Sequence, residues 1–90
     1  PLDTDILITH GPPNGILDEV ERQYYVEKTG GEELRKRVET LAEFGKLKLH
    51  VFGHIHCGYG QDEQFGVKFI NASNCDETYS PTQPPIVIDL

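Results

Sequence analysis

Two short apolar runs stand on either side of a segment with helical spacing, and this order limits the folds open to the 90-residue chain. The first run covers residues 5–9 and the second covers residues 47–53. Between them, apolar residues recur every three or four positions from Glu32 to Phe44, which predicts an amphipathic helix that ends at Gly45. Because neighbouring parallel strands are joined by a crossover that is usually a helix, the order predicts a parallel pair in an α/β fold.

The two predicted strands differ in pattern. The first contains the unbroken apolar run Ile6-Leu7-Ile8, which is typical of a strand that is covered on both faces. It stops at a stretch with two prolines, Pro12 and Pro13, which cannot continue a β-ladder. In the second strand, apolar and polar residues alternate over most of its length, as in a half-buried strand.

Further elements are predicted outside this unit. A short helix is predicted over residues 18–25, because Asp18 and Glu21 have the spacing of an acidic N-terminal cap. Thr29, followed by Glu32, has the spacing of a capping box for the main helix. The remaining predictions are a turn-rich loop over residues 58–63, a strand over 65–72, a loop over 73–85 and a last strand over 86–90.

Histidines follow both strands of the predicted parallel pair. His10 comes directly after the first strand, and His54 and His56 come directly after the second. Because parallel strands end at the same edge of a sheet, we expect the three imidazoles to lie at one edge. Histidine is the commonest metal ligand among side chains, and residues i and i+2 of an extended segment point the same way. The sequence therefore predicts a metal site here, whereas His50, inside its strand, is expected to be structural.

The acidic residues do not complete such a site. Two cations about 3.5–4 Å apart, as in many phosphate-ester enzymes, need carboxylates to balance their charge. Asp3 and Asp5 lie at the opposite end of the first strand. Nothing in the pattern places the loop acids Asp18, Glu19, Asp62 and Glu63. We therefore expect half of the metal site to lie outside these residues.

Composition limits the class of protein and its partners. The net charge of −7, from 15 acidic and 8 basic residues, argues against a nucleic-acid duplex as partner. The negative charge does not argue against a single nucleotide that is held through metal ions. The chain has no Met, no membrane-length apolar run and no signal peptide, so we expect a C-terminal piece of a longer cytoplasmic protein with no membrane contact. Cys57 and Cys75 are too few for a disulfide framework.

The histidine motifs resemble those of a known superfamily. Thr9-His10-Gly11-Pro12-Pro13 and Gly53-His54-Ile55-His56 are similar to the last two metal-binding motifs of the calcineurin-like metallophosphoesterases. The run 48–53 and Ile70-Asn71-Ala72-Ser73 resemble the metallophosphoesterase-domain branch. The resemblance covers nearly the whole chain and is loosest over residues 16–45. It implies that residues 1–90 are the C-terminal portion of one αββα sandwich domain, with about four strands and one or two helices.

The resemblance also implies a function. His10 and His54 would bind one divalent metal ion and His56 a second, the ions being Mn²⁺, Fe²⁺/Fe³⁺ or Zn²⁺. A hydroxide bridging the two ions would attack the phosphorus of a small phosphodiester substrate such as a cyclic nucleotide. The superfamily motifs D-x-H, G-D and G-N-H-D/E, which supply the acidic ligands and the catalytic histidine, do not occur in this chain. The fragment is therefore expected to be inactive without the N-terminal half of the same domain.

Two other interpretations remain open at this point. The chain can be a non-catalytic domain in which His10, His54 and His56, with Cys57 as a further ligand, hold one structural or regulatory metal ion. It can also be a plain interaction domain whose histidines have no shared role. Metal stoichiometry separates the three, because they require two ions, one ion and none.

Overall fold

The computed structural model of the chain describes residues 1–21, 24–73, 75 and 81–88. The elements are β1 (Ile6–Ile8), β2 (Glu19–Glu21), β3 (Val26–Lys28), α1 (Glu32–Phe44), β4 (Leu49–Phe52), a 3-10 turn (His56–Gly58), β5 (Gly60–Gln64) and β6 (Val67–Asn71). Four strands form one sheet in the order β1-β4-β6-β5, and β2 and β3 form a separate antiparallel hairpin. No helix within the described residues has the length and apolar character needed to cross a membrane.

The parallel pair and the helix agree with the sequence prediction. β1 pairs in parallel with β4, β4 pairs in parallel with β6, and β5 is antiparallel to β6. The helix α1 lies between β1 and β4 in the chain and covers the 13 residues that the apolar spacing predicted. The chain is thus a mixed α/β unit whose parallel centre brings the carboxyl ends of β1 and β4 together.

The hydrophobic core lies between one face of the sheet and α1. Val38 and Leu41 of the helix pack against Phe52, Val67 and Phe69 of the sheet. These five side chains are at most 3% exposed. Burial of apolar surface on this scale stabilises the unit and fixes the positions of the strand ends.

The other face of the sheet is open at β1, so the prediction that both faces of this strand are covered is wrong for this chain. Ile6 is 45% exposed and Ile8 is 75% exposed. The physical reason is position: β1 is an edge strand, and only the face that carries Leu7 packs against the core.

The predicted helix over residues 18–25 is also wrong, because Glu19–Glu21 form strand β2. Asp18 does not cap a helix. Its Oδ2 accepts hydrogen bonds from the backbone N–H groups of Gly15 (2.8 Å) and Gly30 (2.9 Å), which closes the base of the β2–β3 hairpin. The spacing of Asp18 and Glu21 is compatible with a helix cap and with the base of a hairpin, so the sequence did not distinguish the two structures.

The capping box predicted at Thr29 is not formed. Gly31 is the N-cap residue of α1 and provides no side-chain hydrogen bond, while the Thr29 hydroxyl donates to the carbonyl of Asp18 at 2.8 Å. The predicted end at Gly45 is correct, since its N–H donates to the carbonyl of Leu41 at 3.2 Å. A side chain at Gly45 would also meet the carbonyl oxygen of Leu2 at 2.4 Å, which explains the glycine.

Two predictions in the second half are wrong and two are confirmed. The predicted loop over 58–63 contains β5 from Gly60, a polar strand that pairs with β6. The predicted last strand over 86–90 is not formed at residues 86–88, and residues 89 and 90 lie outside the described residues. The strand predicted over 65–72 is confirmed as β6, and the loop over 73–85 is confirmed for its described residues 73, 75 and 81–85.

Candidate metal centre

The ends of β1 and β4 bring two histidines into contact. The ring centroids of His10 and His54 lie 4.4 Å apart, with an angle of 38° between the ring planes. Backbone hydrogen bonds continue the parallel ladder to this point, since Thr9 N–H donates to Val51 O and Gly53 N–H donates to His10 O, both at 3.0 Å. The sheet itself therefore sets the separation of the two imidazoles, as the strand order predicted.

The geometry of this pair fits two nitrogen ligands of one ion. Zinc–imidazole bonds are about 2.0–2.1 Å long, so two nitrogens on one ion lie within about 4 Å of each other. Both side chains are exposed, so an ion can reach the pair from solvent. Within the described part of the chain, however, no three His, Cys, Asp or Glu side chains are placed so that they could hold a metal ion. The two histidines alone therefore do not form a complete metal site.

The backbone at His54 is in a strained conformation. Its φ angle is +70°, in the left-handed region that residues other than glycine rarely adopt. Such residues cost free energy and persist where the surrounding structure holds them, which occurs often at functional sites. In this conformation the ring of His54 lies against the ring of His10.

His56 does not lie in the extended segment assumed for residues 54–56, so strand periodicity does not fix the direction of its side chain. A 3-10 turn begins at His56, directly after Ile55, and His54 before it has a left-handed backbone. His56 is half-buried. The structure thus joins His10 to His54, and the role of His56 as a ligand of a second ion stays a prediction.

His50 lies in the core, as the sequence predicted. It is 0% exposed, and this burial lowers the pKa of its imidazole from 6.5 to about 4. The Thr9 hydroxyl donates to the carbonyl of Gly11 at 2.7 Å and lies 2.9 Å from Nε2 of His50. Since that hydroxyl has only one proton, Nε2 must be the donor to Thr9. A neutral His50 therefore braces the backbone on both sides of His10.

The acidic residues considered as metal ligands make hydrogen bonds or ion pairs within the fold. Asp18 is 0% exposed and its Oδ2 is used by the hairpin, while its Oδ1 has no hydrogen-bond partner within the described residues. Asp62 and Glu63 are exposed on β5, and Asp62 accepts the backbone N–H of Glu63 at 2.8 Å. Asp5 lies 3.8 Å from Lys46, before the start of β1.

An open pocket of about 280 Å³ lies between the loops that follow His10 and His54. In it, the Cys57 thiol donates a hydrogen bond to the carbonyl of Glu19 at 3.0 Å. The pocket offers space for a small ligand, although neither His10 nor His54 lines it. It is lined by Gly15, Leu17, Asp18, Glu19, Cys57, Gly58 and Tyr59.

Two residues that the sequence did not mark as functional hold these loops together. Asn71, at the end of β6, donates from Nδ2 to the carbonyls of Leu17 (3.2 Å) and Ile55 (2.8 Å). A Cβ on Gly58 would lie 2.1 Å from the Leu17 carbonyl oxygen, whereas one on Gly53 would have an ordinary 3.5 Å contact with Ser73. The close approach of the two loops is therefore at Gly58 and not at Gly53. The sequence signal that could have identified Asn71 is its position as a polar residue at the end of an apolar strand.

Known proteins resemble the chain over its whole length, although no family model matches it. Metallophosphoesterase domain-containing protein 1 of Homo sapiens is 47% identical over 90 residues, which is 100% of this chain and 26% of the relative. Its Mus musculus counterpart gives the same values. UPF0046 protein T07D4.2 of Caenorhabditis elegans is 36% identical over 90 residues, which is 100% of this chain and 21% of the relative.

The chain thus spans only about a quarter of the length of the curated relatives that it matches. It aligns with the C-terminal part of the human protein. Two strand-end histidines in contact, on a sheet whose β1 face is open, agree with that placement. The chain belongs to the metallophosphoesterase domain-containing proteins and corresponds to their C-terminal part.

Proposed function

We propose that the whole protein is a cytoplasmic phosphoesterase that needs two divalent metal ions and acts as a phosphodiesterase on small phosphodiesters such as cyclic nucleotides. The observation that carries the proposal is the contact between His10 and His54, whose ring centroids are 4.4 Å apart at the carboxyl end of a parallel strand pair. The names of the relatives support the coarser class, a metallophosphoesterase domain.

In this proposal His10 and His54 hold one ion and His56 holds the other. When bound, such ions stabilise negative charge on a phosphoryl group and activate water. The residues of this chain contribute neutral nitrogen ligands and a fixed geometry. Thr9 and the buried His50 brace the backbone around His10, so that its ring stays in contact with His54.

The missing carboxylates come from the N-terminal half of the domain in this proposal. Two doubly charged ions bound only by imidazoles would leave their positive charge uncompensated, and the described residues offer no third side chain to the histidine pair. The open face at Ile6 and Ile8, next to His10, supports the idea that this half packs against β1. The fragment alone is accordingly inactive.

The test uses the full-length protein with Mn²⁺ and a chromogenic phosphodiester. We expect hydrolysis by the wild-type protein and a loss of at least about 100-fold in the His10→Ala and His56→Ala variants, because each removes a ligand directly. The matched control is Cys57→Ser, an exposed neighbour of His56 that the proposal does not use. Unchanged turnover in both histidine variants would contradict the proposal.

The competing interpretation, one structural ion held by the three histidines and Cys57, makes a different prediction. It requires a complete site within this chain, and the described residues contain no group of three suitable side chains. It predicts one tightly bound ion on the 90-residue chain and a loss of that ion in Cys57→Ser. Two ions per full-length protein, retained in Cys57→Ser, support the phosphoesterase.

A further inference from the structure

We infer that Asn71 is a positioning residue for the histidine ligands, an inference that rests on the proposed function. Asn71 ends β6, pairs in register with Phe52 of β4, and is 0% exposed. Its amide lies between the loop that follows His10 and the loop that carries His54 and His56. It therefore contacts both histidine-bearing loops while belonging to neither.

The side-chain amide of Asn71 makes four hydrogen bonds, two through Nδ2 and two through Oδ1. Nδ2 donates to the carbonyls of Leu17 at 3.2 Å and Ile55 at 2.8 Å, and Oδ1 accepts from the backbone N–H (3.1 Å) and hydroxyl (2.7 Å) of Ser73. The orientation of the amide follows from chemistry, because carbonyls can only accept and a backbone N–H can only donate. Both donors are thus committed to the two loops.

The bond to Ile55 acts on the histidine motif itself. The Ile55 carbonyl belongs to the peptide that joins Ile55 to His56, and it also accepts the Gly58 N–H at 3.0 Å. The Ile55 N–H donates to the Gly53 carbonyl at 2.8 Å. Three hydrogen bonds therefore fix the backbone between the two histidines, and the one from Asn71 connects it to strand β6.

The bond to Leu17 ties the opposite loop to the same amide. Gly58 approaches this point so closely that a Cβ would lie 2.9 Å from Nδ2 of Asn71 and 2.1 Å from the Leu17 oxygen. Removal of Nδ2 takes this donor from the Leu17 carbonyl and leaves the Ile55 carbonyl with the Gly58 N–H alone, so both loops are expected to shift. The position of the turn at His56 relative to the His10–His54 pair, which the sheet holds, would then no longer be fixed.

The experiment compares Asn71→Ala with Ser73→Ala in the full-length protein. Both changes remove buried hydrogen bonds of the same cluster, but Ser73→Ala leaves the bonds from Nδ2 to Leu17 and Ile55 in place. Each protein is titrated with Co²⁺, whose visible spectrum reports the geometry of its ligands, and thermal unfolding is measured without metal. We expect about tenfold weaker Co²⁺ binding and altered visible bands in Asn71→Ala, and less than twofold weakening in Ser73→Ala.

A milder variant, Asn71→Ser, covers the case in which Asn71→Ala does not fold. It keeps one hydroxyl donor and is expected to bind Co²⁺ with an affinity between those of the wild type and Asn71→Ala. Equal Co²⁺ affinity and spectra in the Asn71 and Ser73 variants would overturn the inference and leave the proposed function standing. No Co²⁺ binding by the wild-type protein would overturn both.

Discussion

The buried imidazole of His50 gives a clear pH dependence. Burial lowers its pKa to about 4, against 6.5 for the exposed residue. Between these values the unfolded chain binds a proton that the native protein does not, so stability falls as the pH falls through this window. A difference of this size corresponds to about 3 kcal/mol of unfolding free energy lost between pH 7 and pH 4.

The measurement is the free energy of unfolding by urea at several pH values for the wild type and His50→Gln. Glutamine retains an N–H donor for Thr9 but does not titrate, so its profile should lack the part of the slope that His50 contributes. Equal slopes in the two proteins would show that His50 is not the source.

The left-handed backbone at His54 allows its effect on stability to be measured apart from its imidazole. With φ at +70°, any residue with a Cβ is strained by about 1 kcal/mol, and glycine is not. We expect His54→Gly to be more stable than His54→Ala by about that amount, although both lose the same ligand. Urea denaturation in the presence of a chelator checks this, and a less stable glycine variant would contradict it.

At the scale of the elements, the two histidine-bearing loops touch at Gly58. A methyl group there would lie 2.1 Å from the Leu17 carbonyl oxygen, so Gly58→Ala should destabilise the protein by about 1–3 kcal/mol through overpacking. Gly53→Ala in the same loop is the control, because its Cβ would lie 3.5 Å from Ser73, an ordinary contact. Thermal unfolding of both variants decides the matter, and equal melting temperatures would contradict the close approach.

The elements with an apolar period were predictable, and the polar ones were not. Helix α1 was found because its buried residues, Val38 and Leu41 among them, repeat with helical spacing. Strand β5 was missed because its residues are held by backbone pairing to β6 and present no apolar alternation. The β2–β3 hairpin was missed because Asp18, which closes its base, has the spacing of a helix cap.

The candidate site was predictable where it depends on sheet topology. The contact between His10 and His54 follows from the parallel pairing of β1 and β4, which the strand–helix–strand order implied. The turn at His56 was not predictable, because a residue pattern of H-x-H does not report the backbone angles between its members. The role of Asn71 depends on contacts with residues 16 and 54 positions away, which no local pattern contains.

At the scale of the whole molecule, the open face of β1 predicts where the rest of the protein lies. Ile8 is 75% exposed in this chain, although it pairs in register with Val51 of β4. If the N-terminal half covers this face, a thiol introduced by Ile8→Cys in the full-length protein should react with an alkylating reagent at least about tenfold more slowly than a fully exposed one, because covered sites react only on opening.

The control for this labelling is Glu33→Cys, on the outer side of α1, where the native side chain is 93% exposed. Mass spectrometry of the modified peptides gives both rates. Equal rates at the two positions would show that the β1 face is open in the full-length protein as well.

The edge position of β1 also affects how the protein opens locally. This three-residue strand has hydrogen bonds to β4 on one side, whereas β4 and β6 are each flanked by two neighbours. A cation that joins His10 to His54 would connect the end of this edge strand to the end of its neighbour β4. Amide hydrogen exchange should then slow more in β1 than in β6 when the ion is added, because the bound metal would oppose fraying of the edge strand.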